Sequence, residues 1–250
     1  MTRSRLLVAG IALLLAVGVG GYIAYDQVLS GDSIAPLTLP SSEPSASATD
    51  PSVSAAASTP AGPTTGSAEG VAGTWSVADG SQAGYRVRER LASLSAESDA
   101  VGRTSDVTGS ITLERDGATT TLTAGSITVD TTTIASDEDR RDNRLRTEGL
   151  QTDTYPTATF TITRPVEIPA SAIEGTATDI TLVGDLELHG VTRSVSIPAQ
   201  ARLADGTIQV AGSITFSLAD FEIVAPNVGG FIISIADEGA LEFQVNFAKG

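Results

Sequence analysis

The sequence has no cysteine, one histidine (His189), one lysine (Lys249) and one tryptophan (Trp75), and aromatic residues fill only 4% of its 250 positions. Each shortage excludes something. Without cysteine there is no disulfide, no thiolate nucleophile and no cysteine-based metal site. One histidine cannot build a multi-histidine zinc centre. The His189-Gly190 dipeptide reads as a turn, so His189 is expected to be a turn residue or a hydrogen-bonded structural histidine. Positive charge is scarce too: 15 basic side chains face 30 acidic ones, for a net charge of -15. Such a surface repels phosphate backbones and anionic headgroups, which disfavours nucleic acid as a partner. No nucleophile–base pair, metal cluster or phosphate loop is visible, so the expectation is a non-enzyme that uses no cofactor.

What the chain does have is unevenly distributed. Residues 1–5 carry Arg3 and Arg5, and residues 6–25 form an uncharged, apolar run of 20. As a helix that run would span about 30 Å, the thickness of the hydrocarbon core of a bilayer. Arginines on the short N-terminal side predict that this side stays in the cytoplasm. The run ends in Gly20-Gly21-Tyr22-Ile23-Ala24-Tyr25, without a clean small-x-small cleavage site. A retained transmembrane anchor is therefore favoured over a cleaved signal peptide. Residues 26–72 are rich in Ser, Ala, Thr and Pro and read as a linker. A flexible linker of this length has a root-mean-square reach of about 35–40 Å. The remainder, 73–250, is the folded domain, expected on the extracytoplasmic side of the cell membrane.

That domain has a period of two. Ile180, Leu182, Gly184, Leu186 and Leu188 alternate with Thr181, Val183, Asp185 and Glu187. Val191, Val195, Ile197, Ala199, Ala201 and Leu203 repeat the pattern, as do Ile208, Val210, Ile214, Phe216 and Leu218. Near the C-terminus Leu241, Phe243, Val245 and Phe247 alternate with Glu242, Gln244 and Asn246. One buried and one wet face marks antiparallel sheet. His189-Gly190 and Ala204-Asp205-Gly206 read as hairpin turns, and Asp116-Gly117 as another. A change of apolar parity between Leu122 and Ile127 predicts a β-bulge around Gly125. Strands are expected near 74–78, 83–90, 107–115, 119–129, 157–163, 178–188, 191–203 and 207–218, with one or two more from 231 to 248. A helix is expected only at 137–147. A meander with one apolar face must close or stack, and the hairpin order favours an all-β, up-and-down barrel over a sandwich.

Candidate site residues follow from the apolar parity. Trp75, Tyr85, Phe160, Ile162, Leu182, Leu186, Leu188, Phe216, Phe243 and Val245 fall on it and would line the interior of a barrel. Eight strands are near the size at which that interior either is filled by side chains or holds one small ligand. In the charged run Asp137-Glu138-Asp139-Arg140-Arg141-Asp142, the pairs Asp137–Arg141 and Asp142–Arg146 stand at i,i+4 spacing. A helix there could also present Arg141, Arg144 or Arg146 to an anionic headgroup.

Three motifs carry a family resemblance. They are Gly73-Thr74-Trp75-Ser76-Val77-Ala78-Asp79, then Arg141-Asp142-Asn143-Arg144-Leu145-Arg146 with Tyr155-Pro156-Thr157-Ala158-Thr159-Phe160, and Gly184-Asp185-Leu186-Glu187-Leu188-His189-Gly190-Val191-Thr192. Together they resemble the YceI-like family of exported bacterial proteins, from about residue 73 to the C-terminus. The resemblance implies a lipocalin-like antiparallel barrel that holds a long isoprenoid, such as an isoprenoid quinone or a polyprenyl lipid. It also allows a homodimer. Histidines frequent in the family are absent here, where the chain reads Gly80-Ser81-Gln82, Arg88-Glu89-Arg90 and Arg144, and Gly149-Leu150 replaces an aromatic pair. The alternative is a solid-cored barrel that acts as an interaction module in the cell envelope. The two expectations differ in whether the channel is hollow.

Overall fold

The computed structural model describes residues 34–40, 70–91, 97–225 and 232–250. The expected anchor at 6–25 and most of the expected linker lie outside these. Among the described residues no helix is long and apolar enough to cross a membrane.

The elements in chain order are β1 (Gly73–Leu91), β2 (Glu97–Thr104), β3 (Val107–Asp116), β4 (Thr119–Asp130), α1 (Asp139–Arg144), β5 (Thr157–Ile162), β6 (Val166–Ile168), α2 (Ala170–Ile173), β7 (Thr178–Leu188), β8 (Val191–Ala204), β9 (Thr207–Ser217) and β10 (Ile232–Lys249). All pairings are antiparallel. β1 pairs with β3 through 73–76 and with β2 through 83–90, so β2 and β3 act as one bent strand. β5 and β6 pair successively with β4 in the same way. The sheet order then runs β1, β2–β3, β4, β5–β6, β7, β8, β9, β10, and β10 returns to pair with β1. Eight staves, each beside its neighbours in sequence, close an up-and-down barrel.

The turns have a local cause. His189 and Gly190 both take left-handed backbone angles (φ 52° and 73°), as do Asp205 and Gly206 (φ 50° and 73°). Two consecutive positive φ values make the turn whose twist matches paired strands. Several boundaries differ from the sequence reading. The two strands expected at 74–78 and 83–90 are one strand, β1, irregular between Ala78 and Gln82. The last segment is likewise the single strand β10. β2 lacks alternation in Glu97-Ser98-Asp99-Ala100-Val101, which hid it. The β4 bulge lies at Thr123, between the pairs Ala124–Thr112 and Leu122–Leu113, and not at Gly125. Gly125 instead faces inward against Ile111 and Ile162.

The barrel has two unlike ends. At one, Trp75, Val71 and Ile173 are buried together, and the Trp75 indole donates to the Val71 carbonyl at 2.8 Å. At the other, α1 and the turn at 145–149 cover a second cluster of Ile134, Leu150, Leu188, Phe216, Phe221 and Ile223. Residues 34–40 lie against the outer wall although their composition places them in the linker. Arg86 donates to the carbonyl of Ile34 at 2.7 Å, Arg103 to that of Ala35, and Arg202 to that of Pro40 at 2.7 Å.

Gly184 shows how closely the staves pack. A Cβ there would come within 2.2 Å of the Thr161 carbonyl oxygen and 2.7 Å of the Phe160 ring. The ring can move, but the β5 backbone cannot do so without loss of pairing. Gly184→Ala is expected to lower stability by about 1–3 kcal/mol, the usual cost of forcing extra volume into a packed wall. Chemical denaturation with an unchanged m-value checks it.

Candidate functional site

A cavity of about 250 Å³ runs along the barrel axis. A water needs roughly 10–15 Å³ by this measure, so the channel is hollow on the scale of many waters. Inward parity decides its lining: Tyr85 and Val87 from β1, Ile127 and Val129 from β4, Leu182 and Leu186 from β7, Ile197 from β8, Phe216 from β9 and Val245 from β10. The wall is mostly aliphatic, with Tyr85, Phe160, Phe216, Phe243 and Phe247 as its aromatic members. Such cavities stay dry and favour apolar ligands.

Of the residues that alternation marked for the interior, nine are on this wall: Tyr85, Phe160, Ile162, Leu182, Leu186, Leu188, Phe216, Phe243 and Val245. Trp75 is not. It seals the end beneath the cavity, with the Lys249 ammonium 5.7 Å from its ring centroid. The three arginines separate as well. Arg141 borders the cavity, whereas Arg144 pairs with Glu148 on the surface and Arg146 donates to the Ile134 carbonyl at 3.3 Å. The i,i+4 spacing forms one of its two expected pairs, Arg141–Asp137 at 2.6 Å. Asp142 is buried and accepts from the Ser136 amide and hydroxyl at 2.9 and 2.5 Å, so it does not meet Arg146. His189 is buried at its turn, its Nδ1 2.9 Å from the Phe221 carbonyl and its ring edge-on to Tyr155 at 4.7 Å.

Polarity gathers at the Arg141 end. Glu89 projects inward and holds Arg141 at 2.7 Å, with Tyr85 one inward step further along the strand after Val87. Burial pushes the Glu89 carboxyl above the usual carboxylate range; Asp137 adds to the shift and Arg141 opposes it. Burial also drives the Tyr85 phenol well above its ordinary value. For Arg141, burial works against the charge, but Asp137 and Glu89 outweigh it and the guanidinium stays protonated. Lining residues around Arg141 are partly exposed (Leu145, Leu218, Ala225 and Ile235), whereas Leu113, Ile173, Leu203 and Phe247 beside the Trp75 end are buried. The opening of the channel is therefore here, and the Trp75 end is shut. Glu89 escaped the sequence reading, although its parity with Tyr85 and Val87 in a predicted strand is the signal that marks it.

The YceI-like domain model matches residues 75–247, nearly the whole barrel. This chain belongs to the YceI-like family. Protein YceI of Escherichia coli O17:K52:H18 is 34% identical over 76 residues, and the match spans 30% of this chain and 36% of that protein, about a third of its length. Among solved structures, a polyisoprenoid binding domain from Saccharophagus degradans implicated in plant cell wall breakdown superposes with a TM-score of 0.55 at 18% identity, over 72% of this chain and 99% of that one. BcnA of Burkholderia cenocepacia gives a TM-score of 0.49 at 16% identity, over 66% and 95% of the two chains. At 18% identity the likeness to the S. degradans domain speaks to the fold.

The raised Glu89 carboxyl has a signed consequence. A carboxyl that is harder to ionise in the folded state binds more protons there, so its contribution to stability falls as pH rises through its folded pKa. Glu89→Gln removes that titration and keeps a hydrogen-bonding partner for Arg141. The stability difference, wild type minus Glu89→Gln, is expected to be most positive in acid and to decline as pH rises from the ordinary carboxylate range towards neutrality. Denaturation midpoints at matched ionic strength measure it, and a difference independent of pH would contradict the assignment.

Proposed function

We propose that this YceI-like barrel binds a long-chain isoprenoid or similar amphiphilic lipid in its channel, and that residues 6–25 tether it to the outer face of the cell membrane. The observation that carries the reading is the cavity, an aliphatic channel closed at Trp75 and open beside Arg141. Burial of a tail contributes about 0.8 kcal/mol per CH₂ before ordering costs, so tail length dominates affinity. The S. degradans domain, a polyisoprenoid binder of the same fold, supports this choice of ligand class. A solid-cored interaction module would need the channel filled by large side chains, and this channel is lined by medium-sized ones.

The polar end narrows the choice of head. Arg141 is already balanced by Glu89 and Asp137, both as near as ion pairs allow. An anionic phosphate would have to compete with Glu89 for the same guanidinium. An uncharged head that accepts hydrogen bonds, such as a quinone, meets Arg141 and the neutral Tyr85 without that competition. Isoprenoid quinones are accordingly favoured over polyprenyl phosphates.

Purification of the full chain from its own membranes, followed by mass spectrometry of the extracted lipid, is expected to give a near-stoichiometric isoprenoid with an uncharged head. Leu182→Trp, which fills mid-channel, is expected to cut occupancy about tenfold or more, since that needs a loss of only about 1.4 kcal/mol. Native protein that is recovered empty, and stays empty when incubated with vesicles containing isoprenoid quinone, would sink the proposal.

A further inference from the structure

Residues 34–40 follow a definite path on the barrel. Ile34 and Ala35 are held by Arg86 and Arg103 on the outer wall, opposite Ala240 and Gly84 and in the half of the barrel nearer the Arg141 end. The Leu37 amide donates to Glu242 at 3.3 Å, part-way down β10. Pro36 to Leu39 share a groove with Pro198, Gln200, Ala211 and Ser213 on the outward faces of β8 and β9. Pro40 ends the path at Arg202, two residues from the end of β8 and so near the Trp75 end. The segment runs diagonally from the Arg141 half of the barrel towards the closed end.

Its anchoring groups are built into the wall. Glu242 is buried and bonds Arg86 at 2.6 Å and Arg103 at 3.2 Å, and Arg86 also meets Asp99 at 3.1 Å. Arg202 is buried as well and donates to Gln209 at 2.8 Å. The arginines grip main-chain carbonyls, and prolines at 36 and 40 pre-set an extended backbone, which lowers the ordering cost of docking.

This path changes how the barrel is tethered. If the chain were loose up to residue 70, about 45 residues would separate position 25 from the barrel and would join it at the closed end, where Lys249 bonds the carbonyl of Ala72 at 2.7 Å. With 34–40 docked, only nine Cα steps separate position 25 from Ile34, a span of at most about 30 Å, and they arrive in the Arg141 half of the barrel. Two large apolar side chains are exposed among the described residues, Ile34 and Val224. Both lie in this half, the first at the start of the docked segment and the second beside the buried Phe221 and Ile223.

We propose that residues 34–40 are a strap that turns the open, Arg141 end of the barrel towards the bilayer and holds it within one short span of it. The proposal rests on the reading of 6–25 as an anchor and of the channel as a lipid site. It assigns the groove across β7, β8 and β9 to this chain's own segment, and it gives the two halves of the linker different roles. Residues 26–33 set the distance to the membrane, and 41–69 only reconnect the strap to β1.

The absence of cysteine makes the test direct. Single dye labels at Val224→Cys (open end) and Ala118→Cys (in the β3–β4 turn, closed end) are placed in the full chain. The protein is reconstituted in phosphatidylcholine vesicles that carry headgroup-nitroxide lipid. The Val224 label is expected to be quenched several-fold more than the Ala118 label. Twenty Gly/Ser residues, with a coil reach of about 25 Å, are then inserted after Gly31 or after Ala61, both outside the barrel. The insertion after Gly31 is expected to abolish the difference, and the insertion after Ala61 to leave it unchanged. Equal quenching in the parent chain, or sensitivity only to the Ala61 insertion, overturns the strap. Lipid extracted from the same samples separates the proposals: an empty barrel with unequal quenching removes the ligand reading alone, and a filled barrel with equal quenching removes the strap alone. A chain that fails to float with vesicles overturns anchor and strap together.

Discussion

Closure of the sheet through β1 is the constraint on which the rest of this structure depends. β1 is paired on both sides, with β10 from Trp75 to Leu91 and with β3 and β2 in succession on its other edge. Closure joins the two ends of the sheet, so that unpaired edges remain only along short stretches such as β2 and β6, and it fixes one inward face for every stave. Eight strands then set an interior of limited width, and side-chain volume decides whether it is filled. Here the inward positions are mostly Val, Ile, Leu and Ala, with Tyr85, Phe160, Phe216, Phe243 and Phe247 among them, and together they leave a channel of about 250 Å³ unfilled.

The same wall carries two sets of buried ions on opposite faces, and their arrangement separates their roles. Inside, Glu89 and Arg141 meet next to Tyr85 where the channel opens. Outside, Glu242 is shared by Arg86 and Arg103 beneath residues 34–40. Buried ion pairs offset much of their attraction with desolvation, so neither set is a strong argument for stability. What each supplies is direction: the inner set makes one end of an aliphatic tube polar, and the outer set aligns a short extended segment along the wall. Removal of one partner from either set would strand a buried charge, which explains why each arginine has an acidic residue in reach.

The legible part of the fold was the part with a repeat. Strict alternation in 178–188, 191–203 and 207–218 located β7 to β9, and the two-residue turns gave their antiparallel order. Features without a repeat were not legible. β2 mixes Ser, Asp and Arg with Ala and Val because part of its outer face is covered, and its burial comes from neighbours far along the chain. The bulge sits at Thr123 because the extra residue is the one without a partner, and an inward glycine two residues on imitated that signal. Arg141 could not be told from Arg144 and Arg146 by type; helical phase decides it, placing 141 against β1 and 144 beside Glu148. The segment at 34–40 is too short to show a period, and its partners lie 52 to 205 positions away.

The asymmetry between the ends gives the channel a sense of direction. At the closed end the Trp75 indole is tied to Val71 and packed with Ile173, and apolar side chains such as Leu113, Leu203 and Phe247 border the lumen. At the open end, Glu89 and Arg141 pair with each other, and burial keeps the Tyr85 phenol neutral. An amphiphile entering such a tube goes tail first, because the reverse order would strand a polar head against aliphatic wall at a cost of about 1–3 kcal/mol or more per unpaired group. Depth of entry is then set by the tail and stopped by the Trp75 seal, while the head stays level with Arg141. A longer tail gains nothing once the seal is reached, so the length of the barrel, fixed by the staves that closure holds in register, sets the upper limit on the chain it can select.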